Sequence, residues 1–206
     1  MPLPYPFALL RPSSVPYFAS LEWTLSIADA PEGEVVTVAA LKEWAKIDNA
    51  AEDSTLLRLI RAATQYAEDY TWRAFLEREY LLTIDVWPAS GVLLLPRPPA
   101  LEVKRIYTVD DDGVETDFSP LNYRLDQGEG RGRVVLNGRD IPIGDRADRG
   151  IGIEYTAGYG GAEDVPDGIA LGILAWATVG YESRILPSDP PPVAEGYLSP
   201  YRILSL

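Results

Sequence analysis

The sequence has no cysteine, no histidine and a single methionine. Without cysteine there can be no disulfide, no thiolate metal site and no cysteine nucleophile. Without histidine the Ser-His-Asp arrangement, the common zinc sites and the usual proton carrier near neutral pH are excluded too. Catalysis would have to run on carboxylates, Lys, Tyr or Ser. Carboxylate pairs can cleave glycosides and carboxylate clusters can hold Mg²⁺, so composition alone does not exclude an enzyme. Basic residues are in short supply: 18 Lys and Arg stand against 31 Asp and Glu, a formal net charge of −13. No run of Lys or Arg occurs, and a protein that grips nucleic acid needs a basic patch, so tight DNA binding is not expected. A surface past which DNA must slide without sticking is a different matter, and repulsion suits it. No apolar run approaches membrane-spanning length. The segment Met1–Leu10 is interrupted by proline and lacks a basic start and a cleavage-site pattern, which makes it a poor signal peptide. The lack of cysteine is compatible with a reducing cytoplasm.

What is present suffices for a packed protein. At 206 residues and 47% hydrophobic content, the chain can hold one domain of ordinary size or one with a large insertion. Residues 1–34 carry Pro2, Pro4, Pro6, Pro12, Pro16 and Pro31 and read as an extended arm, because proline blocks helix interiors and fixes φ. Tyr5, Phe7, Tyr17, Phe18 and Trp23 are too many aromatics for a free linker. The arm either packs on its own domain or reaches a neighbouring subunit, where aromatics supply contact area.

Thr37 is a good N-cap for a helix over about 38–46, with Leu41 and Trp44 or Ala45 on its apolar stripe. Asp53 or Ser54 caps a second helix over about 54–73, in which Leu56, Leu57, Ile60, Ala63, Ala67 and Tyr70 recur at helical spacing. From about 78 to 157 the period falls to two. Candidate strands are 79–87, 91–95, 102–109, 114–118, 122–126, 132–136 and 150–156, with Asp112-Gly113-Val114 marking a tight hairpin. Pro166 opens a third helix over about 166–184 with Ile169, Ile173, Leu174 and Ala177 on its apolar side. Gly168, Gly172 and Gly180 leave another part of that helix bare, which permits close approach. A Pro-rich tail occupies 187–206. The order α-α-β-α predicts an α+β fold: a small helical bundle of two N-terminal helices and a C-terminal helix at 35–186, an antiparallel β region inserted at about 78–157, an N-terminal arm and a C-terminal tail.

Tests for chemistry return little. Asp110-Asp111-Asp112-Gly113 lacks the alternating acids and terminal Glu of a calcium loop and reads as a hairpin tip. Gly128, Gly130 and Gly132 precede the strand Arg133–Leu136 rather than a helix, so they do not form a dinucleotide fingerprint. Glu77, Glu79 and Asp85 share one face of a strand that has Leu82 and Ile84 on the other, with nothing to mark them as catalytic acids. Trp72, Phe75, Tyr80 and Trp87 cluster at the helix-to-sheet junction, as core packing or as an interface anchor.

With these pieces in order, the chain resembles the head–tail connector (adaptor) proteins of long-tailed bacteriophages and prophages, the gp6-like and gp8-like group. The matching residues are Val36–Lys42, Asp53 through Ala67-Glu68-Asp69-Tyr70-Thr71, Leu95-Pro96-Arg97-Pro98-Pro99 with Val103–Val109, Asp112-Gly113-Val114 and Tyr123-Arg124-Leu125. Tyr155-Thr156-Ala157-Gly158-Tyr159-Gly160, Val165-Pro166 and Tyr181-Glu182-Ser183-Arg184 complete the set. The arm is longer than the family pattern, and the tail matches it only loosely, through Ser199-Pro200-Tyr201-Arg202.

The resemblance implies a non-enzymatic virion protein without cofactor or metal. Such a protein forms a ring of roughly twelve copies, contacts the portal and the next tail-side connector or head-closure protein, and passes packaged DNA through its lumen without specific binding. It would be assembled in the host bacterial cytoplasm and would not touch a membrane. On this reading the interface candidates are Tyr17, Phe18, Trp23, Trp72, Tyr197, Tyr201, Arg202, Ile203 and Leu204. Arg139, Asp140, Asp145, Arg146, Asp148 and Arg149 are the candidate lumen- or tail-facing loop. Two alternatives belong to other classes. One is a stand-alone carbohydrate- or protein-binding β module with Trp72 and Trp87 as its platform. The other is a carboxylate-dependent hydrolase, for which no motif places a pair of acids.

Overall fold

A computed structural model describes residues 22–29, 31, 33–128, 131–138, 140–146 and 148–203. The chain alternates between two compact units, one helical (Pro31–Glu77 and Gly158–Ile203) and one of strands, centred on Arg78–Ala157.

In the helical unit α1 spans Val38–Ala45, and the Thr37 side chain accepts from the Ala40 N–H at 3.1 Å, the cap expected from the sequence. Helix α2, Asp53–Thr71, buries Leu56, Ile60, Ala63 and Ala67 along one stripe. Its N-cap position is Glu52, and neither Asp53 nor Ser54 caps it. Asp53 instead takes the Lys42 ammonium at 2.9 Å, and Glu52 accepts from the Tyr181 hydroxyl at 2.5 Å and pairs with Arg184. Tertiary partners outbid the local cap. Helix α3, Asp167–Ser183, is buried on most of its circumference and packs on α1, α2 and the helix that follows it.

That following helix, α4 (Pro192–Leu198), replaces the plain tail expected from the prolines. Proline is tolerated in a first helical turn, and Ala194 and Leu198, four residues apart, supply the buried face. The bare stripe on α3 receives it. A Cβ on Gly172 would lie 2.6 Å from Leu198 Cγ, one on Gly168 would lie 2.8 Å from the Tyr201 hydroxyl, and one on Gly180 would lie 2.6 Å from Leu186. Glycine lets the C-terminal segment sit where any other residue would hold it off. Trp176, fully buried, donates its indole N–H to the Pro187 carbonyl at 3.0 Å.

The strand unit holds two antiparallel sheets. The larger has the order β1-β2-β8-β4-β5, where β1 is Trp23–Ile27, β2 Arg78–Ile84, β4 Ala100–Val109, β5 Glu115–Asp117 and β8 Ile151–Ala157. The smaller runs β3-β7-β6, with β3 Val92–Leu94, β6 Tyr123–Asp126 and β7 Arg133–Leu136. Every strand expected from the period-two pattern is present. Strand β1 was not expected, because the prolines before it dominate the composition. Trp23-Thr24-Leu25-Ser26-Ile27 nevertheless alternates, buries Leu25 and pairs from Trp23↔Ile84 to Ile27↔Tyr80. Tyr155 is fully buried against Tyr80 (ring centroids 5.5 Å apart) and donates its hydroxyl to the Pro96 carbonyl at 2.7 Å. The β4–β5 turn is the expected hairpin: Gly113 has φ 83°, and the Asp110 carboxylate accepts from the Asp112 and Val114 N–H groups.

The motif Ala157-Gly158-Tyr159-Gly160 has a backbone reason. Tyr159 donates its N–H to the Phe75 carbonyl and Gly160 accepts from the Glu77 N–H, each at 2.9 Å. Gly158 between them has φ 134°, and a Cβ there would lie 2.5 Å from the Leu76 carbonyl. Only glycine fits.

Gly158→Ala meets rigid backbone in a conformation that alanine resists, so a loss of about 2–3 kcal/mol in urea unfolding is expected. Leu198→Ala uncovers the α3 stripe and should cost about 2–4 kcal/mol by the same measurement. Burial pushes the Tyr155 phenol well above its ordinary value. Its stabilising contribution is therefore complete below about pH 10 and is lost as pH rises from there towards the higher native value. Tyr155→Phe should flatten this alkaline limb while costing about 1 kcal/mol at neutral pH for the lost hydrogen bond.

Candidate interface

The acidic residues weighed as catalytic do not converge. Glu79 lies in β2 and forms an ion pair with Lys104. Asp85 follows the strand and accepts from the Arg149 N–H at 2.6 Å, while Glu77 precedes the strand and is exposed. Among the described residues no group of three His, Cys, Asp or Glu is placed to hold a metal ion.

The candidate contact residues fall into two sets. Tyr17, Phe18 and Leu204 lie outside the described residues, as does Arg139 of the loop. Trp23 starts β1 and is half-buried. The rest of the first set gathers on the helical unit, because α4 returns the C-terminal segment to the end of α2. Trp72 caps α2 in the left-handed conformation, φ 61°, with its N–H on the Glu68 carbonyl. Beside it Arg73 Nε donates to the Tyr201 carbonyl at 2.7 Å, and Ile203 donates its N–H to the Thr71 carbonyl at 3.1 Å. The Arg202 guanidinium lies 4.8 Å from the centroid of the Tyr70 ring, a cation–π contact. Glu68, 8% exposed, holds the turn beneath by accepting from the Phe75 N–H at 2.8 Å. Tyr201 also packs against the helical core. Leu198 is buried, so the segment after 196 belongs to the packed helical unit as well as offering contact surface. The surfaces of this strip that face solvent are those of exposed Arg202 and of half-buried Trp72, Tyr197, Tyr201 and Ile203.

The second set is the β7–β8 loop. Asp140, Asp145, Asp148 and Arg149 are exposed and Arg146 is half-buried. Arg146 and Arg149 both approach Asp148, at 3.7 and 3.4 Å. Such exposed pairs are worth under about 1 kcal/mol each and leave the loop electrostatically available. The loop is anchored at both ends. Asn137 donates its N–H to the Asn122 carbonyl at 2.8 Å, and Gly150 accepts from the Val109 N–H at 2.8 Å.

A feature missed in the sequence lies in this loop and in other loops and turns between strands. Val86, Val114, Leu121, Ile141 and Ile143 are 67, 58, 85, 44 and 76% exposed. They are five of the nine large hydrophobic side chains exposed among the described residues. Ile141 and Ile143, on either side of Pro142 in an otherwise charged loop, are the sequence signal for it.

Comparison with known proteins agrees with the sequence reading. Residues 35–97 match the family of phage gp6-like head–tail connector proteins. No curated protein matches the chain. Among solved structures, a chain from the neck of an empty gene transfer agent particle, computed with C6 symmetry, superposes with a TM-score of 0.78. It is 26% identical, and the match covers 89% of this chain and 97% of that one. A chain of the virion of the native gene transfer agent particle gives a TM-score of 0.78 at 26% identity, covering 88 and 96%. One from the neck of the native particle, computed with C12 symmetry, gives 0.76 at 25% identity, covering 89 and 97%. Residues 35–97 therefore resemble the gp6-like head–tail connectors, the fold across most of the chain resembles that of a gene transfer agent neck chain, and together these point to a structural, connector-type protein rather than an enzyme.

Proposed function

We propose that this protein is the repeating subunit of a closed ring at the head–tail junction of a phage-like particle, seated beneath the portal and joining the DNA-filled head to the tail. The observation that carries the proposal is the likeness, over 89% of the chain, to a protein of a particle neck that was computed with C12 symmetry. A ring of about twelve copies needs a heterologous interface, a different surface on each subunit for either neighbour. The solvent-facing sides of Trp23, Trp72, Tyr197, Tyr201 and Arg202 serve as candidates for contacts with a neighbouring subunit or the portal. The loop with Asp140, Asp145, Arg146, Asp148 and Arg149 is the candidate for the lumen or for the surface facing the next tail-side connector or head-closure protein. The net charge of −13 fits a channel that DNA crosses without being held. Assembly takes place in the host bacterial cytoplasm, without a membrane.

Native mass spectrometry of the concentrated protein, with negative-stain imaging of the same sample, tests the ring. Closed rings of about twelve copies are the expected result, either from the chain alone or after addition of the purified portal. A species that stays monomeric in both conditions would remove the proposal.

A further inference from the structure

The two sheets end in four edge strands, β1, β5, β3 and β6, and three of them are guarded. An open edge offers unpaired N–H and C=O groups to any strand that meets it, and charge or local capping is the usual protection. Strand β5 is three residues long and carries Glu115 and Asp117, both held by Arg105. Strand β6 carries Arg124 and Asp126, the latter paired with Arg133. On β3 the Ser90 hydroxyl donates to the Val92 carbonyl and accepts from the Val92 N–H, each at 3.3 Å.

Strand β1 shows none of these guards among the described residues. Trp23-Thr24-Leu25-Ser26-Ile27 contains no charge and no proline. Its ladder to β2 fixes which groups face outward. Asp85 donates its N–H to the Glu22 carbonyl at 3.4 Å, and Ala28 donates its N–H to the Glu79 carbonyl at 2.9 Å. Bonded and unbonded pairs alternate in an antiparallel ladder. Thr24 and Ser26 therefore turn their main-chain groups towards β2, and Leu25 and Ile27 turn theirs to the open edge. Neither Leu25 nor Ile27 meets a hydrogen-bond partner there among the described residues. Ile27 is also 52% exposed. A neutral edge with open main-chain groups is a seat for one more strand.

The occupant follows from the chain before β1. Residues 17–21, outside the described residues, read Tyr-Phe-Ala-Ser-Leu. The run is as long as β1, free of charge and proline, and opened by two residues that favour strands. Only Glu22 separates it from Trp23. Reversing a chain in a hairpin takes about two residues and a parallel return about a dozen, so the run cannot lie along β1 of its own copy. It can lie along β1 of another. Copies that each carry a net charge of −13 repel one another, and neither strand of this pair adds to that repulsion. We infer that residues 17–21 of one subunit pair with the outer edge of β1 in the next, a main-chain joint repeated around the ring. The inference rests on the ring reading and specifies how neighbouring subunits hold one another. Donor run and acceptor edge are different surfaces, as a heterologous contact requires.

The test uses the full-length chain, with purified portal added where rings need it. Ile27→Pro removes one outward N–H and leaves the β2 ladder its donors at Thr24, Ser26 and Ala28. Ile27→Thr keeps the main chain and changes only the side chain. By native mass spectrometry Ile27→Thr should form rings as the wild type does, and Ile27→Pro should lose them by about tenfold or more. Both variants should melt close to the wild type. Because the chain has no cysteine, Ala19→Cys combined with Ile27→Cys supplies two defined thiols for a short thiol–thiol crosslinker. The expected product is a ladder of more than two copies on a denaturing gel, joined from residue 19 to residue 27, and it decides the matter if Ile27→Pro fails to fold. Rings that survive Ile27→Pro would overturn the inference alone. So would a link within single copies only, a product that stops at two copies, or no link in a sample that forms rings. A wild-type chain that forms no ring even with the portal is a separate result, which removes the ring reading and this inference with it.

Discussion

The helical unit depends on how closely the C-terminal segment can approach α3. That helix is already covered by α1 and α2, and its remaining side is kept low by Gly168, Gly172 and Gly180. Leu198 and Tyr201 occupy the space, which orders the chain after Pro187 and carries it back to the end of α2. Glycine inside a helix costs about 1 kcal/mol relative to alanine at each position. Full burial of Leu198 against Gly172 offsets part of that cost. The solvent-facing strip of Trp72, Tyr201 and Arg202 exists only because of this closure.

The strand unit follows a different logic. Its core is drawn from alternate residues, with Leu82, Ile84, Ile106, Ile151, Ile153 and Tyr155 nearly or fully buried. Charge is placed outside that core. Arg105 reaches Asp117 at 2.5 Å and Glu115 at 2.6 Å on the exposed edge strand β5, whose three residues are all polar. An edge strand that is short and charged resists uncontrolled pairing. The apolar residues exposed at the strand ends are therefore not a general looseness of this unit. They stand apart from an edge that is protected by charge.

Electrostatics ties the proposed role to composition. In the proposed ring a conduit for DNA must not bind what it conducts, and a net charge of −13 without a basic cluster meets that condition.

Much of the fold was legible because local physics governs it. Thr37 caps a helix by its own side chain, the stripe of Leu56, Ile60, Ala63 and Ala67 needs one apolar face, and the turn at Asp112-Gly113 needs a positive φ. The exclusion of His- and Cys-based chemistry was likewise complete in the sequence, since a residue that is absent cannot act. Tertiary structure decided what local physics leaves open. It gave Asp53 to Lys42 and Glu52 to Tyr181, placed Trp23–Ile27 beside β2 and seated α4 on the α3 stripe. It also left Val86, Val114, Leu121, Ile141 and Ile143 exposed in loops and turns between strands. Helix caps and turns are settled by neighbours a few residues away. Which side chains stay exposed is settled by which elements pack together, and no stretch of sequence shorter than the fold contains that information.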